Sequence, residues 1–134
     1  MACHAMIALD TNVWVRYVTN DDPVQAKKAL YLIDSSVGIF IPITVLLEME
    51  WVLRAVYRLP VSSIEKSLLH ILGLPNVQVK APEQISRALD FYRGGINFAD
   101  ALHLAGSGDL EAFYTFDQRF TKTARTFGSN VLSP

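Results

Sequence analysis

Four acidic residues, Asp10, Glu48, Asp100 and Asp117, stand where their placement raises a question of chemistry rather than solubility. Asp10 follows the apolar run Ile7-Ala8-Leu9 and opens the triplet Asp10-Thr11-Asn12. A carboxylate at a strand tip, beside a hydroxyl and an amide, can bind a hard cation or receive a phosphoryl group. The same residue types favour a helix N-cap or an Asx turn, and local reasoning leaves both roles open. Asp100 would take the third helical position after an Asn97 N-cap, where it could complete a capping box. Asp117 could cap a short helix over 118–122. Each acid has an adequate local role. None of these roles explains why strand tips and helix starts all present acids that a parallel sheet could gather at one edge.

Helix geometry singles out Glu48. At about 100° per residue, Val45, Met49, Val52 and Val56 form an apolar stripe centred near Val52. Glu48 falls within roughly 60° of that centre, at the shoulder of the expected core. Glu50 and Arg54 point away from it, as a surface pair worth a few tenths of a kcal/mol. An acid at a core edge needs compensation, from a metal ion, an arginine or a hydrogen-bond donor. Four carboxylates sharing one site would raise one another's pKa values, so such a site should take up cations or protons readily.

Other chemistries find less support. His103 shares a helix with Asp100, about 60° around the axis, and either faces the site or is a partly buried structural histidine. His70 has no acidic neighbour in sequence. Trp14, Trp51 and the phenylalanines fit core or interface positions better than a base-stacking platform, because they are not interleaved with basic residues. Ser107 lies in a Gly-Ser-Gly turn without a nucleophile elbow, and no glycine loop for phosphate is present. Cys3 and His4 are too small a set for structural zinc, and Cys3 reads as a free thiol.

The elements that must position these residues alternate in type. Strands are expected over 6–9, 38–41, 77–79 and 112–116, with a weak fifth over 130–132. A short helix over 14–18 precedes the turn Asn20-Asp21-Asp22-Pro23, and Pro23 opens a helix to about Ser35. Thr44 would cap a helix over 45–57, and Ser62 or Ser63 would begin another through about Leu72. Further helices are expected over 82–92 and 98–105, separated by Gly94-Gly95. This alternation predicts a parallel α/β sheet with helices on both faces, whose ligands gather at the carboxyl ends of the strands.

With 134 residues, 51% apolar and 19% charged, the chain fits one folded domain, here expected to span 6–134. Residues 1–5 precede a second methionine, Met6, and read as a cloning remnant or an alternative start. No apolar run is long enough for a bilayer and no secretory signal is recognisable, so a cytoplasmic location without membrane contact is expected. The net charge is −1, from 12 basic and 13 acidic residues. Setting the four candidate acids aside leaves 12 basic residues against nine acidic ones, a mildly basic remainder that suits a polyanion.

These motifs resemble a known family. Ile7-Ala8-Leu9-Asp10-Thr11-Asn12-Val13 resembles the opening strand and first acid of PIN domains. Thr44 to Leu53 resembles their second acidic motif, with Glu48 in the catalytic position. Phe98-Ala99-Asp100-Ala101-Leu102-His103-Leu104-Ala105 resembles the third, and Tyr114-Thr115-Phe116-Asp117-Gln118-Arg119-Phe120 the last. The opening Asp-Thr-Asn-Val-Trp-Val-Arg is most similar to VapC-type toxins of toxin–antitoxin pairs.

The resemblance implies a three-layer sandwich around a central parallel sheet of four to five strands, in the order 3-2-1-4-5. It also implies a Mg²⁺- or Mn²⁺-dependent ribonuclease that forms a homodimer and is inhibited by a small cognate antitoxin. On that pattern Asp10 and Asp100 bind metal directly and Asp117 binds it directly or through water. Glu48 holds a water or helps deprotonate it. Thr11, Asn12 and Thr115 orient the carboxylates or contact phosphate, and Arg16, Arg54, Arg58 and Arg119 are basic residues on the RNA approach. A receiver-type signalling domain would need paired acids near the first strand and a lysine after a late strand, neither of which is evident. A PIN-like module that only binds RNA or a protein is the alternative.

Overall fold

The computed structural model describes residues 6–134. The Cys3–His4 pair and the 1–5 extension lie outside the described residues. The chain divides into two units, Met1–Lys80 and Ala81–Pro134.

In the first unit the order is β1 (Met6–Ile7), α1 (Thr11–Thr19), α2 (Pro23–Ser35), β2 (Gly38–Phe40), α3 (Ile43–Ala55), α4 (Val61–Leu72) and β3 (Val77–Gln78). β2 pairs in parallel with β1 and with β3, giving the run 3-2-1. Parallel neighbours need long crossovers, which the helix pairs α1–α2 and α3–α4 supply. Trp14, Ile33, Ile39, Leu46, Met49, Leu53, Ile64 and Leu68 are buried, each aliphatic among them contributing about 1.5–3 kcal/mol. Asn20 ends α1 in the left-handed conformation, with its amide on the Arg16 carbonyl. Asp22 caps α2 through the Gln25 amide, and Pro23 starts it. Asn76 Nδ2 donates to the carbonyls of Ile33 and Ser36, tying the end of α2 to the approach of β3.

In the second unit come α5 (Pro82–Arg93), α6 (Phe98–Gly106), β4 (Phe113–Tyr114), α7 (Gln118–Thr126) and β5 (Val131–Leu132). β4 and β5 pair in parallel across α7. α5 packs on α6, where Ala88, Leu89, Tyr92, Phe98, Ala101 and Leu104 are buried and the Tyr92 and Phe98 rings meet edge-on at 5.2 Å. The chain is thus α/β with parallel strands and, among the described residues, seven helices. Of the expected order 3-2-1-4-5, the runs 3-2-1 and 4-5 are observed as two separate ladders. No helix among the described residues is long and apolar enough to cross a membrane.

Three helix starts differ from the sequence expectation, α1 beginning at Thr11, three residues before the expected Trp14. α3 begins at Ile43 with Pro42 as N-cap, and α4 at Val61 with Pro60 as N-cap, neither with a side-chain cap. Thr44 and Ser62 are therefore already helical. A proline φ of −62° or −73° suits the extended cap position, so these prolines open the helices as well as closing what precedes them.

Candidate functional site

In the first unit the site is built around Thr11. Asp10 is the N-cap of α1, and its Oδ1 accepts from the Thr11 amide at 2.8 Å. The Thr11 side chain is buried and its hydroxyl donates to Glu48 Oε1 on α3 at 2.5 Å. One residue therefore engages both carboxylates, one through its backbone and one through its hydroxyl. Asn12, the next residue, is exposed and lines a separate cavity with Arg16, Gln25 and Lys28.

The burial expected on α3 is corrected. Glu48 is exposed, whereas Glu50 is 2% exposed and lies in the core face with Leu46, Met49 and Leu53. That face is rotated about one residue, roughly 100°, from the Val52-centred stripe. α3 is apolar on several sides and packs against both α1 and α4, and those neighbours select Leu46 and Leu53 over the valines. The compensation that sequence reasoning required of Glu48 goes to Glu50. Its Oε2 accepts from Arg54 Nε at 2.8 Å, so the pair expected at the surface joins a buried acid to a half-exposed arginine.

In the second unit Asp100 and Asp117 line one cavity of about 340 Å³. Asn97 caps α6 by accepting from the Ala99 amide, which sets Asp100 in the first turn, half-buried. Asp117 is exposed at the carboxyl end of β4 and caps α7, its Oδ1 accepting from the Phe120 amide at 3.0 Å. Thr115 Oγ1 accepts from the Asp117 amide and Thr121 Oγ1 donates to the Asp117 carbonyl, so the threonines hold the backbone of this turn. Burial pushes the Asp100 carboxyl above the ordinary aspartate range. His103 opposes that shift and the Asp117 carboxylate adds to it. His103 itself is exposed and stacks on Phe113, with ring centroids 6.4 Å apart.

The four acids are thus found as two pairs, one in each unit. Among the described residues no group of three or more His, Cys, Asp or Glu is placed to hold a metal ion. Each pair nevertheless suits a hard cation in kind, because Mg²⁺ takes one or two carboxylates and keeps several waters. In the second unit a cation would also relieve the raised pKa of Asp100.

The Asp100–Asp117 cavity holds residues the sequence did not single out as a group: Asn97, Arg119 and Thr123. A signal for Arg119 was its place two residues after the acid, in the first turn of a helix, where a cation opposes the dipole.

The PIN domain family model matches residues 7–126. The chain belongs to the PIN domain family. Among solved structures, this PIN domain is similar to Mycobacterium tuberculosis VapC20, a toxin that cleaves the sarcin–ricin loop. The identity is 19% over 87% of this chain and 93% of that one, with a TM-score of 0.44. It is also similar to VapBC2 from Rickettsia felis, solved bound to a DNA fragment from their promoter. There the identity is 16% over 96% of this chain and 98% of that one, with a TM-score of 0.34. No curated protein matches the chain.

Proposed function

We propose that this PIN domain is a metal-dependent endoribonuclease whose working acids are Asp10, Glu48, Asp100 and Asp117. The observation that carries the reading is the Asp100–Asp117 pair, two carboxylates facing one cavity with one of them raised in pKa. Active sites are where burial and a like charge combine to shift a carboxyl in this way.

Asp10 in the first unit and Asp100 and Asp117 in the second are proposed as the carboxylates that hold Mg²⁺ or Mn²⁺. Bound there, the cation supplies Lewis-acid stabilisation of charge on a phosphate and lowers the pKa of water. Glu48 takes the proton of the attacking water. A new oxygen–phosphorus bond forms, the bond to the leaving ribose oxygen breaks, and that oxygen receives a proton. Thr11 keeps Glu48 in place through its hydroxyl, and Thr115 keeps Asp117 in place through the backbone. Asn12 contacts phosphate. The opening motif, similar to VapC toxins, supports a cytoplasmic homodimeric toxin neutralised by a small antitoxin.

The test is cleavage of a mixed pool of RNAs by antitoxin-free protein. Cleavage should need Mn²⁺ or Mg²⁺, stop with EDTA, and fall about 100-fold in Asp10→Asn and Asp117→Asn. A protein inert with both metals, or one whose cleavage ignores EDTA, would overturn the reading.

A further inference from the structure

Phe116, the residue before Asp117, is 83% exposed. The other five phenylalanines of the second unit each pack against another ring, Phe91 on Phe127, Phe98 on Tyr92, and Phe113 on Phe120. Phe116 makes no ring contact among the described residues. It is not an isolated apolar side chain on a polar surface, because it helps to line a cavity of about 420 Å³. Lys122 and Arg125 bring positive charge to that cavity, Thr121 and Ser133 bring hydroxyls, and no acidic side chain lines it. Lys122 has no ion pair among the described residues, and Arg125 commits only its Nε, to the Val131 carbonyl at 3.3 Å. Sequence reasoning set the phenylalanines aside because no basic residues alternate with them. Here α7 supplies the basic residues instead, one turn and two turns along from Asp117.

We propose that this groove is a nucleotide subsite: a base of single-stranded RNA stacks on Phe116 while an adjacent phosphate meets Lys122 and Arg125. The inference rests on the ribonuclease reading and extends it to how the strand is held. Single-strand binding joins a cationic track to exposed aromatic faces, and every base can stack, so this subsite grips without reading sequence. Charge complementarity favours RNA over an apolar protein segment as the occupant. The groove also borders the turn that carries the candidate acid. Thr115 and Thr121, which line it, are the residues whose hydroxyls hold the backbone of the Asp117 turn, so a base seated on Phe116 lies beside that turn.

The test is the anisotropy of a fluorescein-labelled 12-nucleotide oligoadenylate titrated with the full chain in EDTA, where no cleavage intervenes. Phe116→Ala should weaken binding about ten-fold, Phe116→Tyr should keep it, and Phe116→Leu should behave like the alanine variant. Lys122→Ala with Arg125→Ala should weaken binding and flatten its salt dependence by roughly 0.7 in log–log slope per charge removed. A 2-aminopurine base in the oligonucleotide should be quenched by the wild type and not by Phe116→Leu. Unchanged binding in Phe116→Ala, or full binding in Phe116→Leu, overturns the proposal. So does loss of self-association in Phe116→Ala while RNA binding persists, which would make the patch a protein contact. Because binding is read without metal, an inert enzyme that still binds through Phe116 would sink the ribonuclease reading and leave the subsite standing.

Discussion

The Thr11 hydroxyl donates to Glu48 Oε1 across 37 residues of sequence, while the Thr11 amide donates to Asp10. The hydroxyl is buried, so its partner is fixed, and Glu48 is held from α1 although its own helix leaves it exposed. Thr11→Val keeps the shape and removes the donor. Stability should fall by about 1 kcal/mol in urea denaturation. Cleavage should fall more, by about 10- to 100-fold in kcat, and Thr11→Ser should restore most of it. Wild-type turnover in Thr11→Val would remove Thr11 from the positioning of Glu48.

Asp100 makes a different, pH-dependent prediction. Burial and Asp117 raise its folded-state pKa above the unfolded value. The folded state then holds its proton to higher pH than the unfolded state does, so stability falls as pH rises through that window. The penalty is absent below the ordinary aspartate pKa and complete above the folded one. Asp100→Asn removes this titration. The Tm of the variant minus that of wild type should therefore grow from pH 3.5 to pH 7. A difference that is flat, or that shrinks, would mean that Asp100 carries no burial penalty.

The order of elements and the acids at their ends were legible in the sequence, because Asp22-Pro23, Asn97 and Asp117 are local signals that act through the backbone next to them. Tertiary choices were not. The several apolar sides of α3 left the buried face undecided, and only packing against α1 and α4 puts Glu50 inside and Glu48 outside. Thr44 and Ser62 looked like caps because hydroxyls usually are, yet the prolines before them already have the cap geometry. Phe116 resembles a core residue in a strand of apolar neighbours, and its exposure follows from where the chain bends into α7.

Asp21 titrates in the opposite sense from Asp100. The Tyr57 hydroxyl donates to its Oδ2 at 2.6 Å, Thr19 donates to Oδ1, and Arg16 pairs with it at 2.9 Å. These contacts, the Tyr57 hydroxyl foremost, hold the carboxyl below the usual aspartate range. A depressed acid contributes stability above its unfolded pKa and loses it as pH falls through the folded one. Asp21→Asn should therefore lower the urea midpoint at pH 7, and the gap to wild type should narrow as pH drops below about 4. The network joins the end of α1 to Tyr57, two residues beyond α3, so an equal gap at both pH values would show that it acts through shape and not charge.

Gly94 ends α5 where the Phe127 ring crosses the backbone. A Cβ there would stand 2.1 Å from Phe127 Cζ and 2.7 Å from Cε2. That ring packs edge-on against Phe91, with centroids 5.3 Å apart, so the residue just beyond α7 is docked on α5. The φ of −79° at Gly94 is open to any residue, so the constraint is space and not backbone conformation. Gly94→Ala should displace Phe127 and cost about 1–3 kcal/mol. Phe127→Leu in the same background should recover part of that loss, because a smaller side chain makes room for the methyl group. If Gly94→Ala melts with the wild type, the approach of Phe127 to this glycine is not maintained in solution.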